Sequence, residues 1–407
     1  MQRPPCTTTT SIHIRPSKRP AMPLSSSPSL ALALLALVTL TGVLPLASSS
    51  RGHGVAATTN GVPPLEKHEL LMLERFHGWM AEHGRSYATA EEKLRRFEIY
   101  RRNVEFIEAA NRDGRLTYTL GENAFTDLTH EEFLATHTNR APRPEEEDEE
   151  PEEETVITTR AGHVSEGPYL PAVDKVPDRV NWTAEGKVTE VKNQRHCGSC
   201  WAFAAVAVIE SAYAIAKRVQ PPVLSEQELI DCDSYDSGCS SGLSWSAMKW
   251  VKKHGGIALD SQYPYKQRKD ACQEKKRLPH AVSVRDFEFV KKKSEEELMK
   301  AVARRPVAVG FDSNDNCFRH YTHGVYNSMC IKNGELVGPA CSGNNLTHDM
   351  AIVGYVGKGN DKGKYWIAKN SWGKGWGQKG YVWLKKDVAD PEGLCGIVAT
   401  RPSYPIV

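Results

Sequence analysis

The residues best suited to chemistry in this chain are its cysteines, and their spacing narrows what that chemistry can be. Of ten cysteines, nine fall between Cys197 and Cys395, and the tenth, Cys6, precedes a long apolar run. Nine cysteines in an oxidising compartment leave one thiol unpaired or paired between chains. Cys197 and Cys200 form a C-x-x-C, the spacing of a redox couple or of half a metal site. No second C-x-x-C and no His pair at metal spacing accompanies it, which argues against zinc. A lone buried cysteine is most often an inert apolar residue, so the thiol needs partners before it signifies catalysis.

Such partners need elements to position them. The stretch 200–218, CWAFAAVAVIESAYAIAKR, reads as one buried helix beginning at Cys200. From about 280 onward, short alternating apolar runs (PVAVGF, DMAIVGYV, YWIAKNSW, GYVWL) read as strands separated by Gly and polar turns. Helices first and strands second is the α+β order. Upstream, residues 65–111 are helical in pattern, with Leu70, Leu73, Phe76 and Trp79, then Phe97, Tyr100, Val104 and Ile107 at helical spacing. Residues 145–154 hold nine acids in ten positions, a run that repels itself; with Pro142, Pro144 and Pro151 it reads as a linker.

Composition sets the outer limits. Apolar residues at 40% and charged residues at 25% exclude wholesale disorder and a collagen-like repeat. Charge divides the chain: residues 176–407 carry 33 Lys/Arg against 25 Asp/Glu, and residues 1–175 carry 19 against 25. Neither half has the basic density of a dedicated nucleic-acid binder. The N-terminus runs from basic (Arg3, Arg15, Lys18, Arg19) to apolar (Leu30 to Leu46) to small residues (Ala47 to Ser50). That is the order of a secretory signal, with cleavage expected near Ala47. No later run is expected to be long and apolar enough to span a bilayer.

The segment Gln194-Arg195-His196-Cys197-Gly198-Ser199-Cys200-Trp201-Ala202-Phe203 resembles the nucleophile motif of papain-like cysteine proteases, and His348 in LTHDMAIVGY and Asn370 in YWIAKNSWGKGWG follow in that family's order and separation. The resemblance implies an α+β papain-like fold of two lobes, one helical and one built around a β-barrel, preceded by an α-helical inhibitory propeptide. It implies that Cys200 is the nucleophile, its thiolate favoured by the helix N-terminus and by an adjacent His⁺. His348 would protonate the leaving amine and then activate water, Asn370 would orient the His348 ring, and Trp372 would cover that hydrogen bond. The Gln194 side chain and the Cys200 backbone would donate to the oxyanion. By the same resemblance Cys197 pairs with Cys239, Cys232 with Cys272 and Cys341 with Cys395. Cys317 and Cys330 are then left for a fourth bridge, with Cys200 the single thiol.

Residues 92–111 resemble the interrupted helical motif of cathepsin L-like propeptides, at Glu92, Arg96, Tyr100, Asn103, Ile107 and Asn111, with a second motif at Gly121, Asn123, Phe125 and Asp127. The spacings of the first set its positions along one side of a helix. The implied organisation is a signal peptide at 1–47, an inhibitory propeptide at 48–140, an acidic linker at 141–175 and a mature peptidase at 176–407. Opposite charge on the two halves suggests activation at acidic pH, as carboxylates with pKa values of about 4 are protonated.

Four departures from the family bear on specificity: Arg195 replaces a usual Gly, Cys239-Ser240-Ser241-Gly242 replaces Cys-Asn-Gly-Gly, Thr347 precedes His348, and Asp349 follows it. Gly242 alone keeps the small backbone that lets substrate approach. Alignment of the motifs lines the P2 pocket with Leu243, Ser244, Gly310, Asp349 and Thr400, so P2 Arg or Lys should be better accepted than in relatives. Asn181 and Asn345 head glycosylation sequons. The resemblance implies no cofactor and no metal. The implied partners are protein or peptide substrates, the chain's own propeptide and cystatin-like inhibitors, with a monomeric mature form. The implied location is the secretory pathway, ending outside the cell or in the vacuole or lysosome. The rival reading is a catalytically silent binding or storage glycoprotein, kept open by Ser241, Thr347 and Arg195.

Overall fold

The computed structural model describes residues 64–139, 176–273, 279–360 and 363–407. The signal segment and the whole acidic linker, 141–175, lie outside the described residues. Of the described residues, 64–86 and those from 95 onward form one compact unit, and residues 87–94 belong to another.

The N-terminal helical pattern is divided into α1 (Pro64–Glu82) and α2 (Ala90–Asp113). The continuous run expected from 65 to 111 breaks at Gly84, whose φ of +59° lies in the left-handed region. Strand β1 (Tyr118–Leu120) follows, then α3 (His130–His137). A reciprocal capping box starts α3: the Thr129 hydroxyl accepts the Glu132 N–H, and the Glu132 carboxylate accepts the Thr129 N–H. The C-terminal end of α3 delivers residues 137–139 to the site described below.

The C-terminal half begins with β2 (Arg179–Asn181) and three helices, α4 (Cys200–Lys217), α5 (Glu226–Cys232) and α6 (Ser244–Lys253). There follow β3 (Asp286–Phe289), α7 (Glu295–Val302), β4 (Val307–Phe311), α8 (Asn316–Arg319), β5 (Tyr321–Tyr326) and the hairpin of β6 (Cys330–Lys332) with β7 (Glu335–Val337). The chain closes with β8 (His348–Asn360), β9 (Gly363–Lys369), β10 (Tyr381–Lys385) and β11 (Ser403–Ile406). One sheet runs β1-β5-β10-β9-β8-β4-β11-β3, with β2 on β8. The N-terminal region therefore supplies the sheet's outermost strand, β1, antiparallel to β5.

Two apolar cores result. One gathers α4, α5 and α6 around Trp201, Val208, Leu229 and Met248. The other lies on the sheet around Phe311, Phe318, Trp366 and Trp376, and it takes in Ile107, Tyr118, Phe125 and Phe133 from the N-terminal region. Helix α4 does reach the length and apolarity of a membrane span, contrary to the expectation that no such run follows the signal; it is instead the buried axis of the first core.

Candidate active site

Helix α4 opens at Cys200 directly after Ser199, so the thiol sits where unpaired helix N–H groups carry partial positive charge. The near-continuous apolar sequence of α4 buries its start, and the Cys200 side chain is inaccessible to solvent. The structure closes Cys197–Cys239, Cys232–Cys272, Cys317–Cys330 and Cys341–Cys395, leaving Cys200 as the one described cysteine outside a disulfide. With Cys197 bonded to Cys239, the C-x-x-C is not a redox pair. The closest approach to a metal cluster among the described residues is Asp315, Cys317 and Cys330, and its two sulfurs are consumed by their own disulfide.

The sheet supplies the partners. β8 begins at His348, and α4 packs along β8. β9 runs antiparallel to β8, with Lys369 opposite Ala351, which carries Asn370 alongside His348. His348 Nε2–H donates to Asn370 Oδ1 at 2.7 Å, inside the protein. That oxygen also accepts the Ser371 N–H at 2.7 Å, which fixes the amide plane and thereby the ring. The Trp372 ring lies 4.6 Å from the His348 ring, centroid to centroid, and shields the pair from water.

Gln194 is held on every side. Its Oε1 accepts Ser371 Oγ–H at 2.6 Å, its backbone N–H donates to Ser371 O at 2.8 Å, and its carbonyl accepts Tyr265 Oη–H at 2.6 Å. Its Nε2 donates to Cys197 O at 2.9 Å and to the carbonyl of His137 at 3.2 Å. A carbonyl of the N-terminal region thus occupies a side-chain amide beside the thiol's own motif.

Residues 137–139 run on through the same place. The Asn139 N–H donates to Thr347 O at 2.6 Å. Its side-chain amide meets Gly242 twice: Nδ2 donates to Gly242 O at 2.7 Å, and Gly242 N–H donates to Oδ1 at 3.0 Å. A primary amide here imitates a peptide unit, so Gly242 and Thr347 present the backbone donors and acceptors an extended peptide requires. Two glycines make room, for different reasons. A Cβ on Gly198 would lie 2.7 Å from Thr138 O, and one on Gly242 would lie 2.4 Å from the Trp201 ring. Close approach of two backbones is the demand at Gly198, where a Cβ would lie 2.7 Å from Cys239 O as well as from Thr138 O. At Gly242 the demand comes from the Trp201 ring packed behind the loop, which corrects the sequence reading of that residue.

The P2-pocket positions distribute as follows. Gly310 and Asp349 are opposite one another in the β4–β8 register. Ser244 Oγ–H donates to Asp349 Oδ2 at 2.9 Å, and both are buried. Asp349 borders a small internal cavity together with Lys192, Glu210, Glu226 and Lys369. Leu243 and Thr400 are half-buried. Arg195 has φ +50°, the left-handed backbone that explains why glycine suits this position. Among the sequon residues Asn345 is exposed and Asn181 half-buried, its Oδ1 accepting the Ala184 N–H.

The N-terminal region is anchored by its own motif residues. Asn103 Nδ2 donates to Thr126 O and Leu128 O, Arg96 to Asp127 O, and Asn111 exchanges both amide bonds with Leu120. Phe125 and Phe133 stand edge-on to Trp372 at 5.6 and 5.2 Å. Arg319 is the anchor on the other side: its guanidinium donates to Asn103 Oδ1 and Leu128 O and lies over Phe133, while its carbonyl accepts Asn123 Nδ2. The His137 ring is stacked on Phe133, edge-on to Phe125 and 5.2 Å from the His196 ring. Burial, with positive charge at His196 and Arg85 adding to it, pushes its pKa down to about 3. Sequence reasoning missed Asn139, Arg319 and Ser371. Asn139 and Arg319 act through partners far away in the chain, whereas Ser371 stands next to Asn370 inside YWIAKNSWGKGWG and also reaches Gln194 across 177 positions.

Comparison with known proteins agrees with this arrangement. Residues 176–406 match the model of the papain family cysteine protease, and residues 76–133 match the cathepsin propeptide inhibitor domain (I29). The chain is 40% identical over 344 residues to a senescence-specific cysteine protease, SAG39, of Oryza sativa subsp. indica, covering 83% of this chain and 91% of that one. It is 38% identical to ananain of Ananas comosus, over 82% of this chain and 88% of that one. Among solved structures it is similar to a recombinant stem bromelain precursor, with a TM-score of 0.70, 36% identity, and 83% and 99% of the two chains covered. The chain belongs to the papain family of cysteine proteases and carries that family's propeptide inhibitor domain ahead of the enzyme.

Proposed function

We propose that this chain is the zymogen of a cysteine endopeptidase in which Cys200 attacks the peptide carbonyl carbon, paired with His348 as thiolate and imidazolium. The C–S bond forms as the carbonyl electrons move to oxygen, and Gln194 Nε2–H and the Cys200 N–H hold that oxyanion. Collapse breaks the C–N bond, and His348 gives its proton to the leaving amine. Water, deprotonated by His348, then hydrolyses the thioester. The Asn370 carbonyl keeps the ring in place through both steps.

A single observation carries the inhibitory reading: the amide of Gln194 that would hold the oxyanion is occupied by the carbonyl of His137. Asn139 on Gly242 and Thr347 fills the adjoining backbone positions. The propeptide blocks by occupying transition-state and substrate hydrogen bonds. The acidic linker at 141–175 is cut near Val176 at low pH, the signal at 1–47 sends the chain into the secretory pathway, and the product acts extracellularly or in the vacuole or lysosome. Asp349 and Ser244 make the P2 pocket polar and favour P2 Arg or Lys. Once cleared, the cleft of the monomeric enzyme is open to cystatin-like inhibitors.

The test is to acidify purified proform and read cleavage of a diverse peptide library by mass spectrometry, beside Cys200→Ala. Cleavage by wild type alone is the expected result. Silence from both, with the propeptide shown to be gone, would return the protein to the binding or storage reading.

A further inference from the structure

Arg319, the last residue of α8, belongs to the enzyme half, yet its guanidinium is held by the propeptide. Nη1 donates to Leu128 O and Nη2 to Asn103 Oδ1, each at 3.0 Å, and the group lies 5.8 Å from the Phe133 ring centre. Its Nε is out of solvent and has no acceptor, and the residue as a whole is 1% exposed. Among the described residues no carboxylate pairs with it. The negative charge that acts on it is Glu131, which stands exposed on α3 of the propeptide. A buried cation without a close anion is costly, and burial pushes this one down to a pKa of about 10.

The backbone of Arg319 is fixed by the enzyme alone. Its N–H donates to Asp315 O at 3.1 Å, its carbonyl accepts Trp376 Nε1–H at 3.0 Å, and Cys317, two residues before it, is tied to Cys330. Departure of residues 64–139 therefore leaves Arg319 in place but takes away both guanidinium acceptors, the Phe133 ring and Glu131. What remains is an anchored cation with its hydrogen-bond donors free.

The path of the propeptide shows where that cation stands. Asn139 is on Gly242 and the His137 carbonyl is on the Gln194 amide. Phe133 lies edge-on to Trp372, whose ring covers His348, and touches the Arg319 guanidinium on its other side. The order is thus Gly242, Gln194, Trp372 with His348, Arg319. The Gly242 end is the P2 side of the scissile bond, and Gln194 marks the bond itself. Arg319 then lies beyond His348, on the side from which the amine departs.

We propose that Arg319 is a specificity-determining residue of the processed enzyme, its guanidinium binding the carboxylate of an Asp or Glu within the first three residues of the leaving-group segment. The inference deepens the endopeptidase reading and rests on it. A planar fork of donors suits a carboxylate better than any neutral side chain. The chain itself carries a sequence of this kind: nine of residues 145–154 are acidic, and a cut just ahead of them would lead the leaving segment with acids.

The experiment uses one peptide sequence with Glu, Gln or Lys at each of the first three leaving-group positions. It measures kcat/KM for processed wild type, Arg319→Gln and Arg319→Glu, with active enzyme counted by titration of Cys200. Wild type should favour Glu over Gln by roughly threefold to fivefold in at least one position and disfavour Lys there. That preference should shrink toward unity as salt is raised from about 20 mM to about 500 mM. Arg319→Gln should bring the Glu-to-Gln ratio near one, and Arg319→Glu should turn the preference toward Lys. Equal rates for Glu and Gln at every position in wild type would refute the proposal, as would a wild-type ratio that persists in Arg319→Gln. Should the variants not fold, because Arg319 also anchors the propeptide, the wild-type ratios decide: a salt-sensitive Glu preference supports the subsite, and its absence refutes it. Failure of wild type to cut any of the peptides, with the propeptide shown to be gone, would instead refute the endopeptidase reading.

Discussion

Replacing His137 with Phe should shift the pH at which the proform opens. His137 is an aromatic residue in an aromatic setting, 3% exposed, against Phe133, Phe125 and His196. Phe keeps that packing and removes the titrating group. In the closed proform its pKa lies near 3, whereas after release it returns to the ordinary value of 6.5. A group whose pKa is lower when closed costs almost nothing above pH 6.5, opposes closure increasingly as pH falls below it, and levels off at its full cost below about pH 3. At pH 5 the cost is ~2 kcal/mol, or about 30-fold in the closed-to-open ratio, and at pH 4 it is ~3 kcal/mol. Processing of wild type and His137→Phe should therefore match at pH 7.5 and separate by roughly an order of magnitude or more at pH 5. The assay is the initial rate of propeptide loss by gel or mass spectrometry, in dilute proform started with a trace of processed enzyme. Identical pH profiles would refute the argument. An onset confined to pH 4 and below, in both proteins, would return the switch to carboxylates alone.

Other substitutions probe single contacts. Gln194→Ala should lower kcat by roughly 10²–10³ through loss of an oxyanion donor, and it should also loosen the proform by ~1 kcal/mol because the His137 carbonyl loses its partner; kinetics on processed enzyme and propeptide-binding titrations separate the two. Arg195→Gly should relieve the left-handed backbone at φ +50° and stabilise the enzyme by ~0.5 kcal/mol, read by denaturant titration. Asp349→Ala should lower cleavage of P2 Arg substrates relative to P2 Leu by about tenfold, ~1.4 kcal/mol; a ratio that does not move would remove Asp349 from the pocket.

Much of the fold could be read from local pattern. The buried run after Cys200 reads as the helix it forms, and PVAVGF, DMAIVGYV, YWIAKNSW and GYVWL fall on β4, β8, β9 and β10. The candidate site was legible only through the order of its motifs, because His348 and Asn370 are 22 positions apart and meet through sheet register. What stayed hidden depends on partners that no window spans. Arg319 reaches Asn103 across 216 positions, and Asn139 reaches Gly242 across 103. The break at Gly84 was missed because hydrophobic spacing continues on either side of it. The Gly242 requirement was assigned to substrate because the Trp201 ring behind it is a tertiary neighbour.

The most direct test of a thiol enzyme closed by its own propeptide is the labelling of Cys200. Intact proform at neutral pH and acid-processed enzyme would be treated with iodoacetamide without reductant, and each modified cysteine located by peptide mass spectrometry. The proform should remain unlabelled, since the one described thiol is inaccessible to solvent while the His137 carbonyl occupies the neighbouring Gln194 amide. The processed enzyme should take one label, at Cys200, and lose activity in proportion. Equal labelling before and after processing would contradict the occlusion, and full activity with Cys200 alkylated would contradict its role as nucleophile.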